Sequence, residues 1–466
     1  MFRKSPLLRI AALLTASTLA LTACGQADDP ATEPDDTAAP VTTEEETVDP
    51  GEGETEGETE GEGEGTGSDV EGEIRFSWWG SDARHQMNQE LIDAFMAEHP
   101  GITVTPDYTD WGGYWDKLAT QTAGGDTPDV MMQEERYLRE YAERGVLANL
   151  NDYDIDTSQI DESLVGSGEF SDGLWGIPTG VNVRVMMADP DVFEAAGVEM
   201  PDDTTWTWQD YHDLMVEISE NTDDGVYGAQ DFGIAESVEM VVWARQHGQD
   251  LWDENGDIGF DAEVMAERWQ KTLDLMEAGG TPDVSTALEV NAAGPEQSLV
   301  ATGTGAISPF WTNQLGAISG AAGKDLELLR YPGETEFERQ GLFLKPAMAI
   351  AMSGSSESPE AAALFIDWML NSTEAGEIIL ADRGLPANLE VREHILDQLS
   401  PADQQAAEWI DEVSADIIDA ANTPPRGAGE VNSILQRINE EVLFGSTTPQ
   451  EGAERFIEEA SAVTGS

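Results

Sequence analysis

An acidic segment near the N-terminus limits where this chain can build a folded core. Residues 25–73 contain 19 acidic residues, no basic residue and no aromatic residue, with Gly-Glu repeats between Gly51 and Gly65. A segment with so little hydrophobicity and so much like charge cannot bury enough apolar surface to offset the loss of chain entropy. We therefore predict an extended, self-repelling linker over residues 24–73, with the folded part of the chain after it.

The residues before the linker have the features of an export signal. Three basic residues precede an apolar run from Ile10 to Leu21, which is too short to span a bilayer. The run leads into Leu-Thr-Ala-Cys, with the chain's single cysteine at Cys24, the position that a bacterial lipobox requires. We predict a lipoprotein signal peptide over residues 1–23 and a lipid at Cys24 that anchors the exported protein to the outer face of the cytoplasmic membrane. The alternative is an ordinary signal peptide that happens to precede a cysteine.

The charge and the cysteine content exclude several kinds of protein. With 93 acidic and 22 basic residues, the formal net charge is −71, which repels phosphate and argues against a nucleic-acid partner. One cysteine allows no intrachain disulfide, and the five histidines show no ligand spacing, so neither a metal site nor a cofactor is expected. We interpret the acidic, lysine-poor composition as adaptation to high salt, which screens the repulsion between like charges. The alternative is that the exported proteins of the source organism are acidic in general.

The folded part opens with short apolar runs that alternate with helical patterns. The patterns predict strands over 74–79, 102–108 and 129–132, and helices over 88–99, 114–122 and 137–144. A βαβαβα series of this kind predicts a parallel sheet, with a ligand crevice at the carboxyl ends of its strands.

Seven segments carry recognisable signatures in order along the chain. They are FMAEHPGITV at 95–104, GGDTPDV at 124–130, YAERGVLANL at 141–150, GLWGIP at 173–178, VFEAAGV at 192–198 with Pro201 and Thr205-Trp206 after it, PEAAALFI at 359–366 and RGLPA at 383–387. Together they resemble the extracellular solute-binding proteins of family 1, and in particular the maltose-binding-protein-like members for oligosaccharides. Met186-Met187 departs from this pattern, since the family usually has a Tyr-Asn pair there.

The resemblance implies an α/β, two-lobed periplasmic-binding-protein-like fold with a hinge, each lobe being a sheet flanked by helices. Lobe 1 would contain residues 74–181 and 345–388, and lobe 2 residues 182–344 and 389–466. It further implies a monomeric, non-catalytic receptor that closes on a carbohydrate, and whose bound form is recognised by the permease of an ABC importer.

A sugar needs flat aromatic platforms and polar side chains that form forked hydrogen bonds. We expect most of these side chains at strand ends and near the hinge. For Trp311 with Asn313 the expectation comes from the resemblance, since the family commonly has a stacking aromatic residue in that segment of lobe 2. The candidates are Trp78, Trp79, Ser81, Asp82, Arg84, Trp111, Gln133, Glu134, Tyr137, Asn182, Arg184, Trp243, Trp311, Asn313, Asn388 and Arg426.

Several candidates have a second interpretation. Neighbouring strand residues face opposite ways, so we expect at most one of Trp78 and Trp79 in the core; the alternative buries both. Arg84 could bind ligand together with Asp82 in a loop, or form a surface ion pair. Trp243 could be a core residue, and structural roles are the alternative for the last two candidates, Asn388 and Arg426.

Other functional classes receive less support. The sequence has no Gly-x-Ser-x-Gly and no His-Glu-x-x-His motif, so we predict that the protein is not an enzyme. An exported carbohydrate-active enzyme or an adhesin is the alternative of a different class. Within the receptor class, the aromatic residues favour a sugar over a peptide, polyamine or polyol, although an acidic chain leaves a cationic ligand open.

Overall fold

The computed structural model describes residues 70–337, 339–417 and 419–465. The predicted signal peptide, the lipidation site at Cys24 and nearly all of the predicted linker lie outside the described residues. Within the described part of the chain, no helix is both long enough and apolar enough to cross a membrane.

Fourteen strands are present in the described residues. They are β1 Gly72–Trp79, β2 Ile102–Thr109, β3 Val130–Gln133, β4 Glu169–Phe170, β5 Gly173–Leu174, β6 Ile177–Pro178, β7 Gly180–Asn182, β8 Arg184–Ala188, β9 Tyr227–Ala229, β10 Gly305–Trp311, β11 Glu327–Leu329, β12 Lys345–Pro346, β13 Ala349–Met352 and β14 Leu385–Pro386.

Seventeen α-helices accompany them in the same residues. They are α1 Asp82–Glu98, α2 Trp111–Gly124, α3 Glu135–Glu143, α4 Glu162–Gly166, α5 Pro190–Ala196, α6 Trp208–Asn221, α7 Ser237–Gln246, α8 Ala262–Ala278, α9 Val284–Ala293, α10 Leu299–Thr302, α11 Leu315–Ala322, α12 Pro359–Asn371, α13 Thr373–Ile379, α14 Leu389–Ile395, α15 Pro401–Ser414, α16 Ala428–Leu443 and α17 Pro449–Thr464.

The first large sheet has five strands in the order β2-β1-β3-β13-β6. The strands β1, β2 and β3 are parallel, as the alternating pattern predicts. β13 runs antiparallel to both β3 and β6, so the sheet is mixed. Our prediction of a parallel sheet is therefore wrong for the two strands at this edge. β13 and β6 come from later segments of the chain, which the local βαβαβα pattern does not include.

The second large sheet has four strands in the order β11-β8-β10-β9. β8 lies antiparallel to β10 and β11, and β9 lies parallel to β10. Helices cover this sheet: α5 packs on β10 and α6 on β9. The fold is therefore mixed α/β with two separate sheets.

A small sheet of three short strands, β12-β7-β14, connects the two large ones. The chain passes from β6 through β7 to β8, and returns from β11 through β12 to β13. After β14 it continues to α15 and α17, which pack on α11 and α8 respectively. The small sheet lies close in sequence to the predicted lobe limits near 181, 345 and 388, and these limits stay a prediction.

The first three helices start earlier than the sequence pattern predicts. Ser81, Asp110 and Glu134 act as N-caps, and their side chains accept hydrogen bonds from backbone N–H groups in the first turn. Asp82 and Arg84 consequently lie in α1 and not in the predicted loop. The apolar periodicity did not predict these first turns, because each helix begins at a polar N-cap residue that lies outside the apolar pattern.

Candidate functional site

Two adjoining cavities lie between and beside the two large sheets. The first, which we call the cleft, has a volume of about 270 Å³. It is lined by Glu134, Glu135, Arg136 and Ser167 on the side of the first sheet, by Glu236, Trp252, Trp311 and Phe343 on the side of the second, by Lys345 of β12 and by Asn422, Thr423 and Asn432, among others. The second, the inner pocket, has a volume of about 160 Å³ and lies against the second sheet.

The inner pocket combines aromatic and polar side chains. Its lining includes Arg184, Tyr211, Gln230, Asp231, Phe232, Glu236, Glu239, Arg268, Asn291, Phe310 and Trp311. Only Glu236 and Trp311 line both cavities. A ligand that extends from the cleft into the inner pocket must pass these two side chains.

The carboxyl end of β3 supplies the cleft's polar wall on the first-sheet side. Glu134 follows this strand and caps α3, and its Oε2 accepts hydrogen bonds from Arg136 N at 3.0 Å and from Arg136 Nε at 2.8 Å. In parallel α/β sheets, ligands bind at the carboxyl ends of the strands. The local fold therefore places Glu134 and Arg136 where a ligand can reach them.

Trp311 ends β10 and is half-buried, with two cations close to its ring. The guanidinium carbon of Arg184 lies 5.4 Å from the ring centroid, and Lys345 Nζ lies 5.7 Å from it. Both distances are within the range of cation–π attraction. These contacts fix the ring at the junction of the cleft and the inner pocket.

Arg184 is held by a buried hydrogen-bond network. Its Nη2 lies 2.6 Å from Glu239 Oε1, and its Nε donates to the Tyr331 hydroxyl at 3.3 Å. Burial alone would lower the pKa of Arg184, but Glu239, Tyr331 and Glu236 outweigh it and raise that pKa. Arg184 therefore stays positively charged, and its guanidinium forms an ion pair with Glu239.

A second buried ion pair lies in the inner pocket. Arg268 Nη2 lies 3.1 Å from Asp231 Oδ1, which also accepts a hydrogen bond from Thr272 Oγ1 at 2.8 Å. Burial would lower the pKa of Arg268, whereas Asp231 and Glu239 raise it above its ordinary value. Burial also raises the pKa of Tyr211 well above its ordinary value, so this phenol stays protonated.

Gln133, at the end of β3, is fully buried with no satisfied polar atom in its side chain. Neither its Oε1 nor its Nε2 hydrogen-bonds to any described residue. A buried amide without partners costs free energy, so such a group is uncommon in native proteins. Gln133 is one residue away from the cleft wall, and its predicted ligand role stays a prediction.

An aromatic cluster lies beside the cleft wall. Trp79 contacts Trp111 and Tyr114, with ring centroids 5.1 Å apart in each case, and Trp115 stacks on Tyr137 at 3.9 Å. Trp111 is 41% exposed, and Arg136 lies over its ring at 5.9 Å. Through Arg136 the cluster adjoins the cleft.

The expectation that at most one of Trp78 and Trp79 is buried is wrong. Trp78 is 1% exposed and Trp79 is 8% exposed. β1 is covered on both faces, since it contacts both α2 and α12. Alternation along the strand therefore sends each indole into a different part of the core.

Other predicted candidates have structural partners. Arg84 Nε lies 2.6 Å from Asp382 Oδ2, which matches the ion-pair alternative, and Ser81 caps α1. Trp243 is buried and donates to the carbonyl oxygen of Val264 at 2.7 Å, in agreement with its core alternative.

The remaining candidates lie apart from the two cavities. Asn388 is buried, caps α14 and donates to Asn371 Oδ1 at 2.7 Å. Asn182 and Asn313 line a separate small pocket near Gly384. Arg426 is exposed. Among the residues that the structure describes, no cluster of three or more His, Cys, Asp or Glu side chains could hold a metal ion.

Sequence reasoning missed Glu236, Lys345 and Trp252. Lys345 could have been predicted, because it is one of only four lysines after the signal peptide and lies at a predicted lobe limit. Glu236 precedes α7 without any local motif. Its position in both cavities depends on how distant segments pack.

Comparison with known proteins identifies the fold and the family. The family model for bacterial extracellular solute-binding proteins matches residues 90–408. The solved structure of an extracellular solute-binding protein of family 1 from Alicyclobacillus acidocaldarius is 26% identical, with a TM-score of 0.72, and the match covers 85% of this chain and 99% of that one. Two lobes, each built on a sheet flanked by helices, are the architecture shared with these proteins.

Two further proteins are similar over different lengths. A periplasmic oligogalacturonide-binding protein from Yersinia enterocolitica is 23% identical, with a TM-score of 0.73, over 84% of this chain and 98% of that one; at this identity the likeness shows the fold alone. An uncharacterized lipoprotein of Streptomyces antibioticus is 30% identical over 144 residues, or 30% of this chain. The chain spans only about a third of the length of the first curated relatives that it matches: 31% and 28%.

Proposed function

Because this chain belongs to the bacterial extracellular solute-binding proteins, we propose that it binds an oligosaccharide in the cleft and presents it to the permease of an ABC importer. The bound sugar would extend from the cleft into the inner pocket. Binding would require no covalent chemistry from the protein, in line with a family of binding proteins.

One observation carries the sugar assignment. Trp311 lies at the junction of the two cavities, with its ring positioned by Arg184 and Lys345 and with Glu236 beside it. An indole face packs against the C–H face of a sugar ring, while a carboxylate accepts hydrogen bonds from its hydroxyl groups. The structurally similar Yersinia protein, which is named an oligogalacturonide-binding protein, supports the same ligand class.

The three-stranded sheet supports closure by hinge bending. β7, β12 and β14 each contain only two or three residues, and few backbone angles need to change to rotate one lobe against the other. We propose lobe limits of 74–181 with 345–388, and 182–344 with 389–466. A ligand that contacts both lobes would favour the closed state.

We also propose that Cys24 is lipidated and that the acidic linker holds the domain away from the membrane. The support is the lipobox in the sequence and the name of the Streptomyces relative, which is a lipoprotein. Expression of the full chain with Cys24→Ala should release the protein from the membrane fraction. Retention of this variant in that fraction would contradict the lipid anchor.

The binding proposal can be tested by thermal unfolding and titration calorimetry with residues 70–466. The panel would contain di- to tetrasaccharides of glucose, galactose, mannose, xylose and arabinose, with amino acids and polyamines for comparison. A sugar at 100 times its Kd should stabilise the protein by about 2.7 kcal/mol. A response to an amino acid or a polyamine alone would contradict the carbohydrate assignment.

The site proposal can be tested with Trp311→Ala. Loss of a central indole should weaken binding by about 2 kcal/mol, or about 30-fold. Phe444→Ala is a suitable control, because Phe444 is an exposed aromatic residue that lines neither cavity. Equal effects of the two substitutions would place the ligand elsewhere.

A further inference from the structure

Every cationic side chain that lines the two cavities already has a carboxylate partner. The pairs are Arg136–Glu134 at 2.8 Å, Lys345–Glu135 at 3.1 Å, Arg184–Glu239 at 2.6 Å and Arg268–Asp231 at 3.1 Å. Each positive charge in the lining of the cleft and of the inner pocket is therefore already balanced by a neighbouring carboxylate.

Glu236 is the fifth carboxylate of this lining. Its nearest cation is Arg184, whose Nη1 lies 3.7 Å away and whose Nε and Nη2 both donate to Glu239. The Glu236 side chain is 52% exposed and, although it precedes α7, it caps no backbone N–H. Its carboxylate thus faces the passage between the two cavities with lone pairs available to a ligand.

The charge balance of the lining determines which saccharides fit. A uronic acid would meet five carboxylates and only four cations, each of which already faces a carboxylate, so the lining repels a further negative charge. A hydroxyl group or an ammonium group would instead find an acceptor at Glu236.

On the basis of the proposed function, we propose that this cleft excludes acidic saccharides and that Glu236 selects for a sugar that carries an amine. The oligogalacturonide ligand in the name of the Yersinia protein would therefore not suit this chain, although the fold is shared. Glu236 is a specificity residue in this proposal, and Trp311 provides the surface on which the same sugar ring lies.

The test compares three forms of the same sugars. Maltotriose, cellotriose and galactotriose would each be titrated unmodified, as the C6-uronate and as the 6-amino-6-deoxy derivative, at low and at high salt. We expect the uronate to bind about 10-fold more weakly than the unmodified sugar at low salt, and the amine to bind at least as tightly. High salt should reduce both differences, because it screens the charges.

Charge reversal then tests the assigned residue. Glu236→Lys should reduce the preference for amine over uronate by about 10-fold, whereas Glu458→Lys should leave it unchanged, since Glu458 is exposed on α17 and lines neither cavity. A uronate that binds the native protein as tightly as the unmodified sugar, or an unchanged preference in Glu236→Lys, would overturn the specificity proposal and leave the proposed function in place. If no trisaccharide binds in any form, the proposed function itself fails.

Discussion

Nη2 of Arg184 lies 2.6 Å from Oε1 of Glu239, and both side chains are buried at the inner pocket. The Tyr331 hydroxyl completes the network by donating to Glu239 Oε2 at 3.1 Å. The pair therefore has the additional hydrogen bonds that a buried ion pair needs. It also fixes the guanidinium under the Trp311 ring, which makes Arg184 a positioning residue for the proposed ligand platform.

Glu239→Leu should destabilise the protein by about 3–5 kcal/mol, because it leaves the buried Arg184 without its carboxylate. Arg184→Met combined with Glu239→Leu should cost less than Glu239→Leu alone, since neither charge remains. Urea unfolding of the native protein, of Arg184→Met, of Glu239→Leu and of the double variant would measure this coupling.

A matched comparison uses an exposed pair. Arg437 lies on the surface 3.4 Å from Glu441 and also pairs with the partly exposed carboxylate of Glu459, and Arg437→Met should cost less than about 1 kcal/mol. If the double variant at Arg184 and Glu239 lost as much stability as the two single variants together, the pair would not be energetically coupled.

Gln133→Met should stabilise the unliganded protein by about 1–2 kcal/mol. Gln133 is 0% exposed with both amide atoms unpaired, and methionine fills a similar volume without this desolvation cost. If Gln133 meets ligand in the closed state, as we predict, the same variant should bind sugar more weakly. Thermal unfolding without ligand and calorimetry with it measure the two effects separately.

The two outcomes for Gln133 lead to different conclusions. Higher stability with unchanged affinity would exclude Gln133 from the binding site. Lower stability would show that its amide has partners in solution. Gln246→Met is a control for the same exchange at a buried glutamine whose two amide atoms are hydrogen-bonded, since Gln246 Oε1 accepts from Trp208 Nε1 and Gln246 Nε2 donates to the Pro332 carbonyl oxygen, each at 2.9 Å.

The segment 419–424 connects the two sides of the cleft. The Thr423 hydroxyl donates to the Ser167 carbonyl oxygen at 2.8 Å, and Arg139 donates to the Thr423 carbonyl oxygen at 3.2 Å. On the other side Asn422 donates to the Trp252 carbonyl oxygen at 2.9 Å. These contacts bridge the two sides of the cleft at its C-terminal wall, and we propose that they favour the closed state.

Thr423→Val should therefore favour the open state. Loss of one buried hydrogen bond costs about 1 kcal/mol, which corresponds to about a 5-fold shift between the two states. Small-angle X-ray scattering should show a larger radius of gyration, and the sugar should bind more weakly. Thr120→Val, at an exposed helical position in α2, should change neither. Reduced stability without any change in affinity would mean that this segment does not control closure.

Local patterns were sufficient to predict the first sheet's parallel part. The apolar runs at β1, β2 and β3 and the helical spacing between them depend only on neighbouring residues. The rule that ligands bind at the carboxyl ends of strands also led to Glu134, and the resemblance to the family led to Trp311; both residues line the cleft. Neither prediction needed knowledge of distant contacts.

Glu236 and Lys345 could not be predicted in the same way. Lys345 lies 3.1 Å from Glu135, more than 200 residues earlier in the chain. Glu236 directly precedes α7, whose Arg245 donates to the carbonyl oxygens of Asp419 and Ala420, more than 170 residues later. The burial of Trp78 was missed for a related reason. Alternation predicts one exposed face, but α12, nearly 300 residues downstream, covers the second face of β1.

Trp111 and Trp79 provide a last comparison within one aromatic cluster. Trp79→Ala should destabilise the protein by about 3–5 kcal/mol, because this indole is only 8% exposed and its removal leaves a cavity. Trp111→Ala should cost less than about 1 kcal/mol, since Trp111 is 41% exposed. If Trp111 is a sugar platform, as the sequence predicts, its variant should nevertheless weaken binding more than 10-fold. Urea unfolding and calorimetry on both variants would measure this, and a Trp111→Ala protein with native affinity would limit the platform to Trp311.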